Sequence, residues 1–275
     1  MRPGRTKMVG MTAARAQTLI VVPAFNESAA VGDVVRAVRE AVPHADCLVI
    51  DDASHDDTAA VATTAGARVM RLPVNLGVGG VMRAGYRWAA ERGYDVVVQV
   101  DGDGQHPAEQ IPALIESIGQ ADIVIGARFA GVDGAGATGA RRLAMWILAR
   151  TLSRVARTRL TDTTSGFKAA GPRAVRLFAQ TYPAEYLGDT VEALVIAARA
   201  GLVVRQVPVA MRERQGGTPS QSTARATAHL LRACLALCIA LTKPRVTTAS
   251  AAAGSGPGAP HGRGMRPGAA TGRAA

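Results

Sequence analysis

Val96-Val-Val-Gln-Val-Asp101-Gly-Asp103-Gly-Gln105-His-Pro107 decides the fold class of this 275-residue chain: a β-branched apolar run leads into two carboxylates and then into a helix-opening proline. Val96, Val97, Val98 and Val100 make the kind of short run that fills the middle of a parallel sheet covered on both faces. Pro107, with its fixed φ and missing N–H, suits a first helical position, and Ile111, Leu114, Ile115 and Ile118 follow at the spacing of one apolar stripe. Asp101 and Asp103 are thereby predicted at the carboxyl end of a central strand, where open α/β sheets bind their ligands.

Residues i and i+2 of an extended segment project to the same side, so Asp101 and Asp103 can converge on one hard cation while Gly102 and Gly104 let the backbone bend tightly. Mg²⁺ or Mn²⁺ held by one or two carboxylates keeps positions free for phosphate oxygens, and such a cation neutralises charge growing on a departing diphosphate. A solvated Asp/Gly loop tip would carry the same tripeptide. A calcium EF-hand loop is excluded, because His106 stands where that loop needs glycine and Pro112 where it needs a bidentate glutamate.

Working outward, the same alternation recurs. Leu19–Val22, Leu48–Ile50, Val69–Leu72 and Ile123–Ile125 are further expected strands. Helices are expected over Val31–Val42, Asp56–Ala65 and Gly80–Glu91, and after Pro107. Strands alternating with helices imply an α/β chain with a Rossmann-like, mostly parallel sheet flanked by helices. The strand-to-helix loops beginning at Pro23, Asp51, Pro73 and Asp101 should all emerge at one sheet edge and build a single cleft. Past Arg128 the rhythm changes: a glycine-rich loop over 131–139, a helix over 141–157, a turn-rich 162–167 segment and a helix over 189–199. An extended 203–209 stretch follows, where Pro208 points to a sheet edge, and then a last apolar helix over 226–241.

The formal net charge of +11 invites a nucleic-acid reading, so its distribution matters. Residues 1–17 carry Arg2, Arg5, Lys7 and Arg15 without an acid, and residues 245–275 carry Arg245, Arg263, Arg266 and Arg273 without an acid; removing those eight from +11 leaves +3. Charge held in tails, with only 4% aromatic residues, favours attraction to an anionic membrane surface over a nucleic-acid reading head. Residues 1–17 and 244–275 are expected to be disordered tails around a single 18–243 domain. Three cysteines without a Cys-x-x-Cys pair argue against a disulfide framework or structural zinc and suit a reducing cytoplasm. No apolar run near the start is long enough for a signal peptide.

Six motifs occur in order: Pro23-Ala-Phe25-Asn-Glu27, Asp51-Asp52-Ala-Ser54-x-Asp56-x-Thr58, Asn75-x-Gly77-x-Gly79, Asp101-x-Asp103-x-Gln105-His-Pro107, Gly126-x-Arg128-Phe129 and Asp162-x-x-Ser165-Gly166-Phe167. Together, over roughly residues 18–243, they resemble glycosyltransferase family 2, most of all its dolichol-phosphate mannose synthase branch. The resemblance implies a GT-A fold with C-terminal helices, a nucleotide-diphosphate sugar donor, Mg²⁺ or Mn²⁺, and inverting transfer to an acceptor that is often a polyprenyl phosphate. By position, Pro23, Phe25, Glu27 and Asp52, with Asn75 and Gly77, would line the donor pocket; Asp101, Asp103 and Gln105 would serve the metal, Asp101 also the nucleotide. For Asp52 a carboxylate can accept hydrogen bonds from a base edge or ribose hydroxyls, but an Asx-turn or helix-cap role is the structural alternative, and capping also suits Ser54 and Asp56.

Arg128 and Arg214 are candidates for the donor diphosphate or an acceptor phosphate, since guanidinium forks grip phosphate oxygens. Asp189 and Glu192 lie near where many members place a catalytic base; a hydroxyl acceptor needs one, a phosphate does not, and Glu192 also fits a plain helix-surface residue. The chain departs from its branch at Thr218-Pro-Ser-Gln221, where Ser-Lys is common, which opens the acceptor class. Transfer to a soluble hydroxyl, or a non-catalytic membrane-associated member, therefore stands beside the lipid-phosphate reading. A dinucleotide-binding oxidoreductase fails on Gly77-x-Gly79, because Met82 occupies the third glycine position and the segment follows the third strand. The 226–241 helix is too short to span a bilayer, but Trp146 beside an arginine stripe and the basic tails fit a peripheral position on the cytosolic membrane face.

Overall fold

The described residues form seven strands: β1 (Thr18–Ala24), β2 (Asp46–Asp51), β3 (Arg68–Arg71), β4 (Val96–Gln99), β5 (Ile123–Arg128), β6 (Lys168–Ala170) and β7 (Val204–Val209). The structure, a computed structural model, describes residues 17–128, 139–163, 165–184 and 189–212, without the side chains of 128, 139–145 and 189. One sheet of order β3-β2-β1-β4-β6-β5-β7 results. β1 pairs in parallel with β2 and β4, β2 with β3, and β5 with β7; β6 alone runs antiparallel, between β4 and β5. The carboxyl ends of six strands thus share one edge, and the amino end of β6 joins them there.

The α-helices among the described residues are α1 (Val31–Ala41), α2 (Thr58–Thr64), α3 (Gly77–Glu91), α4 (Ile111–Ser117), α5 (Gly139–Ala156), α6 (Pro172–Thr181) and α7 (Asp189–Arg199). Successive strand residues alternate between two cores. Leu19, Val21, Ile50, Val97 and Ile125 pack with Met82 and Tyr86 of α3, Leu148 and Leu152 of α5, Phe178 of α6 and Leu194 of α7. Ile20, Val22, Val49, Val98 and Val124 pack on the other side with Val31, Val35 and Val38 of α1, Ala62 of α2 and Leu114 of α4. Burial on both faces is why the strands read as continuous rather than alternating apolar runs.

The expected parallel sheet, the central place of β4 and the edge place of β7 with Pro208 are all present. Four expectations change. Pro107 does not open the α-helix: it precedes a 3-10 turn over Ala108–Gln110, and Pro112 occupies the first turn of α4. α3 starts at Gly77 instead of Gly80, because the Asp52 carboxylate receives its first N–H groups. β6 and α6 have no counterpart in the sequence expectation. Glu192 is not a surface residue; it is 9% exposed, since α7 is covered by its neighbours on nearly every side. The expected helix over 226–241, both tails and the loop up to residue 138 lie outside the described residues.

Candidate functional site

The strand order reverses between β1 and β4, so their loops part at the carboxyl edge and leave a crevice. Pro23 is the last residue but one of β1 there, paired on the β2 side with Ile50. The β1–β4 ladder closes with Val21 opposite Gln99 and the Val100 N–H on the Val21 carbonyl, so a residue without an N–H fits two positions on. Gly102 passes close to this point: an added Cβ would sit 3.1 Å from the Pro23 carbonyl oxygen.

The loops after β1 and β2 are stitched together through backbone N–H groups. Asn26 N–H donates to Ser54 Oγ at 2.9 Å, Glu27 N–H to Thr58 Oγ1 at 2.9 Å, Ser28 N–H to Asp56 Oδ2 at 3.1 Å, and His55 N–H to Asn26 Oδ1 at 2.9 Å. Asn26 (φ 54°) and Ala53 (φ 62°) adopt left-handed backbone here, conformations that non-glycine residues hold only when their surroundings insist. Phe25 stays 43% exposed, edge-on to His55 with ring centroids 6.3 Å apart. It and the half-buried Glu27 lie in the loop after β1, at the carboxyl edge of the sheet.

Asp51 and Asp52 divide their work. Asp51, fully buried, accepts Ser54 N–H at 2.9 Å and Arg71 Nε–H at 3.2 Å. Asp52, 4% exposed, accepts Leu76 N–H at 2.7 Å and Gly77 N–H at 2.8 Å, holding the amino end of α3 against the loop after β2. Gly77 has φ 71°, and Asn75 Nδ2 donates to the Asp52 carbonyl at 3.2 Å. The helix-cap alternative for Asp52 therefore describes its contacts within the chain, with the helix supplied by a distant loop.

Asp101 and Asp103 follow β4 as expected, but they lie in a turn beyond its last residue, Gln99, and not in the extended segment that the i, i+2 argument assumed. Asp103 Oδ1 accepts Gln105 N–H at 3.0 Å, an Asx-type turn, and Gly104 takes φ 78° to complete it. His106 folds back: its Nδ1 accepts Asp101 N–H at 2.9 Å, its Nε2 lies 3.5 Å from Asp101 Oδ2, and its ring stacks on Phe167 at 5.0 Å. Gln99 Nε2 donates to Asp101 Oδ1 at 3.2 Å. The antiparallel direction of β6 brings Ser165, Gly166 and Phe167 to the same place. A Cβ on Gly166 would lie 2.9 Å from Asp101 Oδ2, and Ser165 Oγ pins the segment by donating to the Gly126 carbonyl at 2.7 Å.

Two partly exposed carboxylates with the carboxamide of Gln105 in the same turn offer hard oxygen donors that suit Mg²⁺ or Mn²⁺. Among the described residues no group of three or more His, Cys, Asp or Glu side chains assembles, so such a cation would keep positions for substrate oxygens and water. Residues that sequence reasoning left unassigned complete the surroundings: Gln99, His106, Gly166 and Lys168, and Arg212, whose N–H donates to the Gln105 carbonyl at 2.9 Å. The His-Pro and Ser-Gly-Phe motifs flagged two of them; nothing in the one-dimensional spacing flags Gln99 or Lys168. Arg128 closes β5 opposite Val209 at this edge, and Asp189 begins α7; the side chains of both, and the whole of Arg214, lie outside the described residues.

The sequence model of Glycosyl transferase family 2 matches residues 19–178. The chain is 33% identical over 213 residues to the undecaprenyl-phosphate mannosyltransferase of Micrococcus luteus, covering 75% of this chain and 88% of that one. It is 28% identical over 215 residues to the polyprenol monophosphomannose synthase of Mycolicibacterium smegmatis, covering 75% and 81%. Among solved structures, glucosyl-3-phosphoglycerate synthase from Mycobacterium tuberculosis, in complex with Mn²⁺, UDP and phosphoglyceric acid, superposes with a TM-score of 0.64 at 22% identity, over 86% of this chain and 84% of that one. At that identity the likeness is one of fold.

Proposed function

The chain belongs to glycosyltransferase family 2 and has its GT-A fold, and from that premise we propose that it moves a hexose from a nucleotide-diphosphate sugar to a polyprenyl phosphate. The names of the two relatives make mannose the first sugar to try. The observation that carries the reading is the Asp101–Asp103 turn at the sheet's switch point, walled by Gly166 and closed by His106.

In this reading Asp101, Asp103 and Gln105 hold Mg²⁺ or Mn²⁺, which supplies charge neutralisation for the leaving diphosphate. Pro23, Phe25, Glu27, Asp52, Asn75 and Gly77 form the nucleoside side of the pocket: the exposed Phe25 ring offers a stacking face and Glu27 a carboxylate acceptor. Asp52 contributes by fixing the loop from Asn75 to Gly77 that borders the pocket. Arg128 and Arg214 grip phosphate oxygens. An acceptor phosphate oxygen attacks the anomeric carbon from the side opposite the diphosphate; the new C–O bond forms as the old one breaks, and the configuration inverts. A phosphate is already an anionic nucleophile, so Asp189 is needed as a base only if the acceptor is a hydroxyl.

No helix among the described residues is long and apolar enough to cross a membrane. A peripheral position is supported by α5, where Trp146 is 57% exposed and Ile147 46%, with the Arg150 guanidinium 5.4 Å from the Trp146 ring centroid.

The test offers radiolabelled GDP-mannose or UDP-glucose, with Mn²⁺, to the full chain together with undecaprenyl phosphate or 3-phosphoglycerate. Label in the lipid, abolished by chelator and by Asp103→Ala in a variant with unchanged circular dichroism, is the expected result. Label confined to the soluble acceptor would replace the lipid reading with the hydroxyl or soluble-acceptor one, and near-normal activity in chelator would remove the metal.

A further inference from the structure

Lys168 is 3% exposed, at the start of β6 and inside the core shared by α3, α6 and α7. A buried ammonium is costly unless polar groups receive it, and Lys168 Nζ donates to Tyr182 Oη at 2.8 Å, within a cluster that includes the Tyr86 and Phe178 rings. Its position in the sheet is informative. Lys168 stands directly opposite Gln99 in the antiparallel β4–β6 pair, and opposite residues of such a pair present neighbouring side chains on the same face.

Gln99 is the residue whose Nε2 donates to Asp101 Oδ1, and it is 2% exposed. Its other end, Oε1, is buried without a hydrogen-bond partner among the described residues. The amide is therefore polarised: a donor faces the carboxylate and a bare oxygen faces the interior. A Lys168 ammonium on the neighbouring strand would favour that orientation, because a flipped amide would turn its N–H₂ group towards the ammonium and its oxygen towards the Asp101 carboxylate.

We infer that Lys168 is a positioning residue for the Asp101–Asp103 turn: its buried charge, anchored on Tyr182, holds the Gln99 amide with its donor towards Asp101 and so fixes that carboxylate for the metal. The inference rests on the metal reading given above and extends it two shells outward, from Asp101 to Gln99 to Lys168. A partner bonded directly to a metal ligand, as Gln99 is to Asp101, orients that ligand, and its loss typically weakens metal affinity roughly 10–100-fold; Lys168 acts through that partner.

The experiment measures Mn²⁺ affinity directly, by electron paramagnetic resonance of free Mn²⁺ titrated into the full chain with and without GDP or UDP. Lys168→Met is expected to raise the Mn²⁺ dissociation constant by roughly 10-fold or more. Lys168→Arg, which keeps the charge, should restore affinity to within a few-fold, and Lys168→Met should add little in a Gln99→Leu background. The sign separates this role from plain electrostatics, because deleting a nearby positive charge with no positioning role would tighten cation binding. Tyr182→Phe, which removes the anchor and keeps the ring, should weaken Mn²⁺ in the same direction and serves if Lys168→Met does not fold. Folded variants that bind Mn²⁺ as tightly as the parent, or more tightly, overturn the inference and leave the function standing. A parent chain that takes no Mn²⁺ under any of these conditions overturns the metal reading and this inference with it.

Discussion

A methyl group on Gly166 would have nowhere to go but into the Asp101 carboxylate, 2.9 Å from one oxygen and 3.0 Å from the other, with Gln99 Nε2 also at 3.0 Å. The obstacle is mostly the end of a side chain, not backbone, so the chain can fold around the substitution by turning Asp101 aside. Gly166→Ala is therefore expected to keep its circular dichroism and melting temperature within a few degrees while Mn²⁺ affinity falls by roughly 10-fold or more; a variant with intact Mn²⁺ binding would show that Asp101 need not stand where it does. Cys47 illustrates the opposite kind of residue. Burial pushes its thiol up to about 12, an effect that nearby Arg39 opposes and Asp46 reinforces, so it packs as a small apolar group without thiolate chemistry.

The loops after β1 and β2 hold each other through Asp56, which receives N–H groups from Ser28 and Thr58 and the Thr58 hydroxyl. Partial burial alone would raise its pKa, but these hydrogen bonds outweigh it and bring the carboxyl down to about 2. A depressed folded-state pKa means that the stabilisation is complete above the ordinary value of 3.8 and is lost as pH falls through about 2. Asp56→Ala should accordingly melt below the parent at neutral pH, with the gap closing between about pH 4 and pH 2; a gap that persists unchanged at pH 2 would contradict it. Elements differ in how visibly the sequence announces them. β1, β2, β4 and β5 announce themselves because burial on both faces demands unbroken β-branched runs. β6 does not: Lys168-Ala-Ala170 has three residues, a charge and no periodicity, and only its pairing partners make it a strand. α6 carries a stripe of Ala174, Val175, Leu177 and Phe178 behind Pro172, so its signal does lie in the sequence. The same division holds at the site. Asp101 and Asp103 are legible as the residues that directly follow a buried apolar run, whereas Gln99 and Lys168 meet through cross-strand register, which spacing does not encode.

At the scale of the whole molecule, a formal charge of +11 and an exposed Trp146–Ile147–Arg150 patch on α5 point to attraction by anionic surfaces. The full chain should float with vesicles containing phosphatidylglycerol, detach as salt is raised from about 0.1 to 1 M, where the screening length drops from roughly 10 to 3 Å, and bind less in Trp146→Ser. Flotation that ignores both salt and Trp146 would place the attraction elsewhere. The sheet itself has a seam: β3-β2-β1-β4 on one side and β5-β7 on the other meet only through β6, three residues long. The ribosome delivers Asp101 and Asp103 well before the strand that backs them, so a nascent chain that stops short of Gly166 owns both carboxylates but neither the Gly166 wall nor the Lys168 side chain. On the proposed reading, completion of the metal turn therefore waits for β6, and a copy truncated before it would be made without the wall and the lysine that back Asp101.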